Sequence, residues 1–386
     1  MSATLVIATL ALAAWLYLLV GRSGFWLARE REDRRLPPEP ASWPAVTAVI
    51  PARNEADVIE RAVTSLLTQD YGGAFTLVVV DDASDDGTGA RAAAAAERLG
   101  AADRLTVLTG RPLPPGWTGK LWAVSQGVEQ ATRAGAAPFL LITDADIAHA
   151  PPTLRRLVTR PEAGGLALAS LMAKLSVETW PERLLIPAFV FFFDMLYPFA
   201  WANDPKRATA AAAGGCMLVR RQALEAAGGI AAIRGEIIDD CALAARLKAH
   251  GPIWLGLTDG AVSLRPYRSL AEIGRMVSRS AYAQLGYSPW LLAGTVAGMA
   301  LVYLAAPIIA IAADGPARWT ALGAWALMAL AFQPMLAFYR RSPLWGVALP
   351  LIGAVYTLFT LQSALEVWRG RGGMWKGRAQ ALAAPR

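Results

Sequence analysis

Four stretches of the chain contain no charged residue and are long enough to cross a lipid bilayer. One lies near the amino terminus, over residues 3–20, and the other three follow one another later in the chain, over residues 289–313, 319–338 and 344–365. A transmembrane helix needs about 20 predominantly apolar residues, so each stretch predicts a membrane-spanning helix. Between them, apolar and polar segments alternate, which predicts a folded domain over residues 44–288.

The first apolar stretch has two interpretations. A cleaved signal peptide has basic residues before its apolar run and small residues at a cleavage site after it. Here the basic residues follow the run, from Arg22 to Arg35. We favour an uncleaved anchor over residues 1–21, with residue 22 onward in the cytoplasm, because Lys and Arg are enriched on the cytoplasmic side of membranes.

In the later region, residues 289–366, the number of spans conflicts with the charges. Arg340 and Arg341 favour the cytoplasm, so a further full span would leave the basic tail over residues 367–386 outside, although its charges also favour the cytoplasm. We therefore expect two to three membrane helices, with one segment re-entrant or interfacial. Candidate break points are Pro307, Pro334 and Pro350.

In the middle of the chain, short buried strands alternate with helices. The pattern predicts strands over residues 46–50, 76–80, 105–108 and 139–143, and helices over 55–69, from Asp86 to Leu99, and over 119–134. This order is typical of an α/β fold with a parallel sheet. Ligands of such sheets bind beyond the carboxyl ends of strands. Polar clusters follow the first, second and fourth strands here.

Composition narrows the class of protein. Apolar residues make up 55% of the chain and charged residues 17%, whereas soluble domains average about 25% charged. These values exclude a disordered chain and an ordinary soluble enzyme, and two cysteines, Cys216 and Cys241, exclude a disulfide scaffold. Most of the +7 net charge comes from arginines beside the apolar runs. That location indicates anionic lipid, and we expect no nucleic-acid partner.

Acidic residues at the strand ends are candidates for chemistry. Asp144 and Asp146 follow the fourth strand and are separated by one residue. Magnesium and similar ions are typically held by one or two carboxylates together with substrate phosphates. The pair therefore predicts a divalent-cation site for a diphosphate, with two solvated aspartates in a turn as the alternative.

Two further acidic motifs each have a structural and a functional interpretation. In DDASDDGT, residues 81–88, a capped turn accounts for the later residues but does not require Asp81 and Asp82, which can accept hydrogen bonds from a base or ribose. Asp239 and Asp240 precede a predicted helix, where the helix dipole stabilises acids. The functional alternative is a general base for an acceptor hydroxyl.

Five motifs, in this order, resemble those of family 2 glycosyltransferases with the GT-A fold. They are IPARNE at 50–55, DDASDDGT at 81–88, DAD at 144–146, AGGCMLVRR at 213–221 and IDDCALAARL at 238–247. The resemblance covers about residues 44–288 and implies an α/β domain with the Rossmann-like mixed sheet of nucleotide-diphospho-sugar transferases. The membrane segments, GWTGKLWAVSQG at 116–127 and the segment 263–288 look closest to hopene-associated glycosyltransferases of hopanoid biosynthesis. Ceramide and carotenoid glycosyltransferases are similar neighbours.

The resemblance also implies roles for individual residues. It places the donor beside Pro51, Arg53, Glu55, Asp82, Lys120 and Asp144, the metal on Asp144 and Asp146, the catalytic base at Asp240, and the acceptor or product side at Asp239 and Arg279. Asp239 replaces the more usual Glu. For Lys120 the implied partner is a phosphate, and a solvated lysine at a helix start is the alternative.

Two features bear on the acceptor. Processive members of the family have a Gln-x-x-Arg-Trp motif, whereas here Arg279 remains without the Gln and Trp. This departure implies transfer of a single sugar. The apolar run over residues 184–201, interrupted by Asp194, predicts a buried or interfacial helix near a lipid acceptor, with a plain core helix as the alternative.

These expectations describe an inverting, metal-dependent glycosyltransferase that uses Mg²⁺ or Mn²⁺ and moves one sugar from a nucleotide sugar, expected to be uridine-linked, to a lipid acceptor. Its expected location is the inner (cytoplasmic) membrane as a multi-pass protein, with the catalytic domain in the cytoplasm. The alternatives are a ceramide- or carotenoid-type lipid glycosyltransferase, a non-catalytic nucleotide-binding membrane protein, and a nucleotidyltransferase.

Overall fold

A computed structural model describes residues 2–135, 137–370, 374–375 and 378–379. The chain divides into two compact units. The sheet unit contains Glu30–Ser176 and Trp201–Arg265, and the helical unit contains Met1–Arg29, Val177–Ala200 and Pro266–Gly372. Segments 177–200 and 266–288, which we expected inside the catalytic domain over 44–288, thus pack with the apolar helices. Most of the tail over 367–386 lies outside the described residues.

The described residues of these two ranges of the sheet unit form eight strands and seven α-helices. The strands are β1 (Val46–Ala52), β2 (Phe75–Asp81), β3 (Leu105–Thr109), β4 (Phe139–Thr143), β5 (Ile147–His149), β6 (Leu168–Lys174), β7 (Cys216–Arg220) and β8 (Ile253–Ser263). The helices are α2 (Ile59–Leu67), α3 (Thr88–Arg98), α4 (Gly119–Arg133), α5 (Thr153–Gly164), α7 (Phe199–Ala202), which begins at the unit boundary, α8 (Arg221–Ala226) and α9 (Asp239–Lys248).

The strands form one mixed sheet in the order β3-β2-β1-β4-β7-β6-β8-β5. The four strands predicted from the sequence, β1 to β4, are parallel to one another. β7 is antiparallel to β4 and β6, and β5 is antiparallel to β8. The mixed sheet that the resemblance implied is confirmed. The parallel arrangement predicted for β1 to β4 is found among those four of the eight strands. The carboxyl ends of β1, β2 and β4 share one edge, as expected.

Both faces of the sheet are covered, which explains the continuous apolar character of its strands. In β4, Phe139 and Leu141 belong to the core beneath α2, α3 and α5. Leu140 and Ile142 belong to the core beneath α4, α8 and α9. This alternation follows from the two-residue period of a strand.

Two element boundaries differ from the predictions. β1 continues through Pro51 to Ala52, although we expected Pro51 to end the strand. The first helix begins at Ile59 rather than residue 55. The residues before it form a turn, in which the backbone N–H of Val58 donates to the carbonyl of Glu55 at 3.0 Å, because this loop is bonded to the loop after β2.

The helical unit is built from α1 (Ala3–Gly21), α6 (Trp180–Leu196), α10 (Leu270–Gln284), α11 (Pro289–Met299), α12 (Ala305–Ala312), α13 (Gly315–Phe338) and α14 (Leu349–Trp368). Within the described residues, four helices are long and apolar enough to cross a membrane: Ala3–Gly21, Pro289–Ala312, Gly315–Phe338 and Pro343–Trp368. They coincide with the four uncharged stretches. Most of the run over 184–201 lies in α6, which is largely buried, and its last three residues belong to α7.

Small residues let the first helix approach two others closely. Ala8 packs in one cluster with Ile309 and Ala310 of α12 and with Ala317 and Ala321 of α13. Small side chains at such contacts are typical of helices in membranes. The same cluster shows that the end of α12 lies beside the start of α13, so these two helices run in opposite directions.

The last apolar segment turns back on itself. Residues 343–348 run back along α13, since Gln333 Nε2 donates to the Pro343 carbonyl at 3.2 Å and Trp325 Nε1 to the Val347 carbonyl at 3.1 Å. α14 then runs opposite to α11 and α12, because Gly353 lies against Tyr303, whereas Ala364 packs with Leu292.

This path brings both ends of the segment to one end of the helical unit. Arg340 and Arg341 lie in the link after α13, and Arg369 lies after α14. Both positions are at the end of the helical unit where α11 begins. We call this the basic end. The last apolar segment therefore begins and ends at the same end of the helical unit, and the number of membrane spans stays a prediction.

Candidate active site

The loops after β1 and β2 are bonded to each other at the shared edge of the sheet. The backbone N–H of Asn54 donates to Ser84 Oγ at 3.0 Å, and that of Glu55 donates to Thr88 Oγ1 at 2.8 Å. Asn54 and Ala83 both have positive φ, at 50° and 53°. Non-glycine residues rarely adopt this conformation, which is common at functional loops.

Asp81 has a structural role that the sequence interpretation missed. Its Oδ1 accepts a hydrogen bond from the backbone N–H of Ser84 at 2.9 Å, and its Oδ2 accepts one from that of Gly89 at 3.1 Å. We expected the turn not to need Asp81, but the turn uses both of its carboxylate oxygens. Asp86 also supports the turn, accepting from the backbone N–H of Thr88 at 3.0 Å.

Asp82 and Arg53, two predicted donor-binding residues, lie together. Asp82 is 1% exposed, and the Arg53 guanidinium lies 3.8 Å from its carboxylate. Arg53 also donates to the backbone carbonyls of Asp82 and Ala83. Pro51, predicted beside the base, is buried within β1 and paired with Val80.

Lys120 lies at the centre of the acidic residues. Its Nζ is 3.0 Å from Asp144 Oδ1 and 3.2 Å from Asp239 Oδ2, and only 16% of its side chain is exposed. Burial acts to lower the pKa of Lys120, but the two carboxylates outweigh it and the pKa is raised. A cation in the first turn of a helix, here α4, is unfavourable for the helix dipole. The carboxylates therefore explain its position, and the solvated alternative does not describe it.

Asp240 is oriented by two backbone donors at the start of α9. Its Oδ2 accepts from the N–H of Gly214 at 2.9 Å, and its Oδ1 from the N–H of Cys241 at 2.8 Å. Burial raises the pKa of Asp240, and the carboxylate of Asp239 raises it further, whereas Lys120 acts in the opposite direction. A carboxyl group with a raised pKa suits proton transfer near neutral pH.

Arg265 is a site residue that the sequence interpretation did not single out. It pairs with Glu55, and its guanidinium lies 3.6 Å from Asp57 and 3.7 Å from Asp146. It follows β8 by two residues, and β8 runs parallel to β4. Arg265 belongs to the segment 263–288, which carried part of the family resemblance. Its position at this edge, however, depends on the order of the strands in the sheet.

The acidic pair fits the predicted cation. The pKa of Asp146 is raised to about 6 by burial and by the nearby carboxylates of Asp144 and Glu55, and Arg265 offsets part of this. Crowded carboxylate oxygens are the donor chemistry that Mg²⁺ and Mn²⁺ accept. Within the described residues, no group of three Asp, Glu, His or Cys side chains forms a complete metal site. Asp144 and Asp146 therefore suit a cation whose other ligands come from substrate.

Arg279, the remaining predicted residue, belongs to the helical unit and its acceptor-side role stays a prediction, whereas His149 and Cys241 have structural contacts in the sheet unit. Arg279 is exposed on α10, in the helical unit. His149 is buried, and its Nε2 lies 3.0 Å from Thr143 Oγ1, so it supports the sheet edge. Cys241 is buried, and its Sγ lies 3.9 Å from the Ala212 carbonyl.

Comparison with known proteins identifies the class of the sheet unit. Residues 47–228 match the family described as Glycosyl transferase family 2. The match covers a little under half of the chain and indicates a glycosyltransferase domain in this stretch.

Two curated relatives are similar to part of the chain. An N-acetylglucosaminyltransferase of Rhizobium leguminosarum bv. viciae is 29% identical over 47% of this chain and 40% of that protein. An undecaprenyl-phosphate 4-deoxy-4-formamido-L-arabinose transferase of Pseudomonas aeruginosa is 31% identical over 36% of this chain and 40% of that protein. The aligned region thus spans about two fifths of the length of these relatives.

One solved structure supports the fold over nearly the whole chain. The mannosyltransferase PcManGT from Pyrobaculum calidifontis, in complex with GDP-Man and Mn²⁺, has a TM-score of 0.56 and 22% identity. The match covers 95% of this chain and 99% of that protein. The GT-A fold expected from the sequence is confirmed.

Proposed function

We propose, from the family 2 glycosyltransferase domain at residues 47–228, that the protein transfers one sugar from a nucleotide-diphospho-sugar to a lipid acceptor, with inversion at the anomeric carbon. The observation that carries this proposal is the contact of the Lys120 ammonium group with both Asp144, a predicted donor residue, and Asp239, the neighbour of the predicted base Asp240. The uridine-linked donor rests on the resemblance of Asp82 and its neighbours to the family motifs.

Asp240 is the general base of the proposed reaction. The acceptor hydroxyl oxygen attacks the anomeric carbon from the side opposite the diphosphate, and Asp240 Oδ2 or Oδ1 accepts the hydroxyl proton. The carbon–oxygen bond to the diphosphate breaks, and its electron pair leaves with the nucleoside diphosphate. The backbone N–H groups of Gly214 and Cys241 hold the Asp240 carboxylate in place before the substrate arrives.

The remaining residues prepare the donor. Lys120 holds Asp144 and Asp239 together, and Arg265 holds Glu55 close to Asp146. Asp144 and Asp146 would hold a Mg²⁺ or Mn²⁺ ion, which supplies charge neutralisation for the departing diphosphate. The structural relative solved with Mn²⁺ and a nucleotide sugar supports this assignment.

The helical unit supports a lipid acceptor and a multi-pass location in the inner (cytoplasmic) membrane. Its apolar helices anchor the protein, and its basic end carries the arginines that favour the cytoplasmic side. The sheet unit then faces the cytoplasm, where nucleotide sugars are made. One curated relative is named for a lipid-linked acceptor, undecaprenyl phosphate. A hopanoid acceptor rests on the resemblance of the membrane segments and residues 116–127 and 263–288.

The variant Asp240→Asn tests the proposed base. It keeps the shape of the side chain, so donor binding should stay near the wild-type level while transfer falls about 10²- to 10⁴-fold. Asp103→Asn, the same change at an exposed residue of the sheet unit, is the matched control and should keep full activity. Donor binding is measured by calorimetry with UDP-sugars and Mn²⁺, and transfer by release of the nucleoside diphosphate. Unchanged turnover in Asp240→Asn removes this residue from the base role.

The acceptor is identified from lipids. Lipid extracts of cells with and without the protein are compared by mass spectrometry, and a glycosylated lipid present only with the protein names both sugar and acceptor. If no nucleotide sugar binds in the presence of Mg²⁺ or Mn²⁺, the proposal fails in favour of a non-catalytic role.

A further inference from the structure

One side of α10 presents a row of arginines. Arg275 and Arg279, four residues apart, are exposed on one face of the helix, and the exposed Arg268 lies just before its first turn. Among the described residues, none of the three forms an ion pair with an acidic side chain. Glu272 shares this face, but its carboxylate accepts a hydrogen bond from the backbone N–H of Arg268 at 2.7 Å. The face is therefore positively charged overall.

The opposite side of α10 packs against α14. A Cβ on Gly274 would lie 2.8 Å from the Phe359 ring, Ser278 Oγ donates to Glu366 at 3.3 Å, and the N–H of Tyr282 donates to Ser363 Oγ at 3.0 Å. These contacts fix the rotation of α10, so the arginine face points away from the helical unit.

The arginine face lies at the basic end of the helical unit. The end of α10 contacts Trp368, the last residue of α14, which is 58% exposed. α10 then leads into α11, where Trp290 is 86% exposed. Exposed tryptophans are enriched at the level of lipid headgroups. At the opposite end, Asp314 in the turn before α13 pairs with Arg318 in the first turns of α13, so their charges cancel. The positive charge is thus confined to one end.

We propose that the arginine face of α10 binds the phosphate headgroups of anionic lipids at the membrane surface. The proposal rests on the membrane anchorage described under the proposed function, and it is independent of the transfer reaction. Basic amphipathic helices lie in the membrane interface with arginines directed to anionic lipid. Arginine suits this role because its long stem lies along apolar surface while its guanidinium reaches a phosphate.

The test uses the full chain in nanodiscs of phosphatidylcholine and phosphatidylglycerol. A fluorescent probe is attached through Ala271→Cys, an exposed position beside the arginine face, while the native Cys216 and Cys241 are buried. One lipid at a time is brominated, so that quenching reports which lipid lies beside α10. We expect brominated phosphatidylglycerol to quench more strongly than brominated phosphatidylcholine at equal mole fraction.

Two triple variants distinguish lipid binding by the arginine face from an effect of the protein's net charge. Arg268→Gln/Arg275→Gln/Arg279→Gln should raise the phosphatidylglycerol fraction at half-maximal quenching by at least about fivefold, the factor expected for a single arginine. Arg61→Gln/Arg91→Gln/Arg246→Gln, with the same loss of charge on exposed helices of the sheet unit, should leave it unchanged.

Three results would overturn the proposal. They are equal quenching by both lipids in the parent protein, an unchanged preference in the α10 variant, and an equal loss in the control variant. Alkaline extraction of membranes tests the anchorage separately. Release of the parent protein by that treatment would refute the anchorage itself, whereas loss of sugar transfer has no bearing on this readout.

Discussion

The charge of Lys120 should determine the pH range in which the enzyme works. Its ammonium group contacts Asp144 at 3.0 Å and Asp239 at 3.2 Å, and it also lowers the pKa of Asp240. The variant Lys120→Gln removes the positive charge from three neighbouring carboxyl groups but keeps a polar side chain of similar length. Lys120→Arg keeps the charge and serves as the control.

The sign of the effect follows from the proposed role of Asp240 as the general base. A general base must be deprotonated, so transfer is lost as the pH falls through the pKa of Asp240. Burial and Asp239 already raise that pKa, and without Lys120 it rises further. An opposite charge within about 4–6 Å changes the pKa of an Asp by roughly 1–3 units. Because Lys120 contacts Asp144 and Asp239 directly, we expect the lower end of this range for Asp240, about one pH unit.

The assay is the pH dependence of kcat, measured by release of the nucleoside diphosphate at saturating donor. In Lys120→Gln the acidic limb of the profile should move up by about one unit, so that activity at pH 6 falls far more than activity at pH 8. Lys120→Arg should keep the position of the limb, even if its geometry lowers the plateau. An equal loss at every pH in Lys120→Gln, with the limb unmoved, would show that Lys120 does not set the protonation of the base.

Three further predictions concern the sheet unit. Arg265→Gln should raise the pKa of Asp146 above about 6. Calorimetry with Mn²⁺ and UDP should then show that cation binding weakens more steeply between pH 8 and pH 6 than in the parent protein. Gly127→Ala places a Cβ 2.4 Å from a valine methyl of β1 and should destabilise the fold by about 1–3 kcal/mol in thermal unfolding, whereas Gly298→Ala, which meets nothing within 4 Å, should not. Burial lowers the pKa of His149 to about 4, so stability present above about pH 6.5 should be lost as the pH falls toward 4, and His149→Gln should flatten that dependence in urea unfolding.

Much of the candidate site was predictable because its residues follow strands directly in sequence. Asp144 and Asp146 come after β4, and the apolar run before them identifies a buried strand without any knowledge of its neighbours. Parallel strands then bring their carboxyl ends to one edge. The roles of individual residues came from family motifs, since many turns contain acidic residues for structural reasons. Asp81 is an example, because both of its oxygens stabilise the turn.

Predictions were less complete where a residue depends on distant parts of the chain. The start of α2 was placed four residues early because the loop before it is bonded to the loop after β2, which no local pattern reveals. Arg265 reaches Asp146 only because β8 returns parallel to β4 across two antiparallel pairings. We expected Lys120 to contact a phosphate. Its contact with the Asp239 carboxylate depends on the start of α9 lying beside the start of α4.

The sequence by itself determined the local properties of this protein: four uncharged runs, the alternation of strands and helices, and acidic groups at strand ends. Local periodicity and side-chain chemistry are enough for these. Only the tertiary structure decided that Lys120 joins Asp144 to Asp239, that Arg265 completes the acidic edge, and that the last apolar segment returns to the end it came from. Those features depend on long-range packing. A span and a re-entrant segment have the same composition, and they differ only in which helices they lie against.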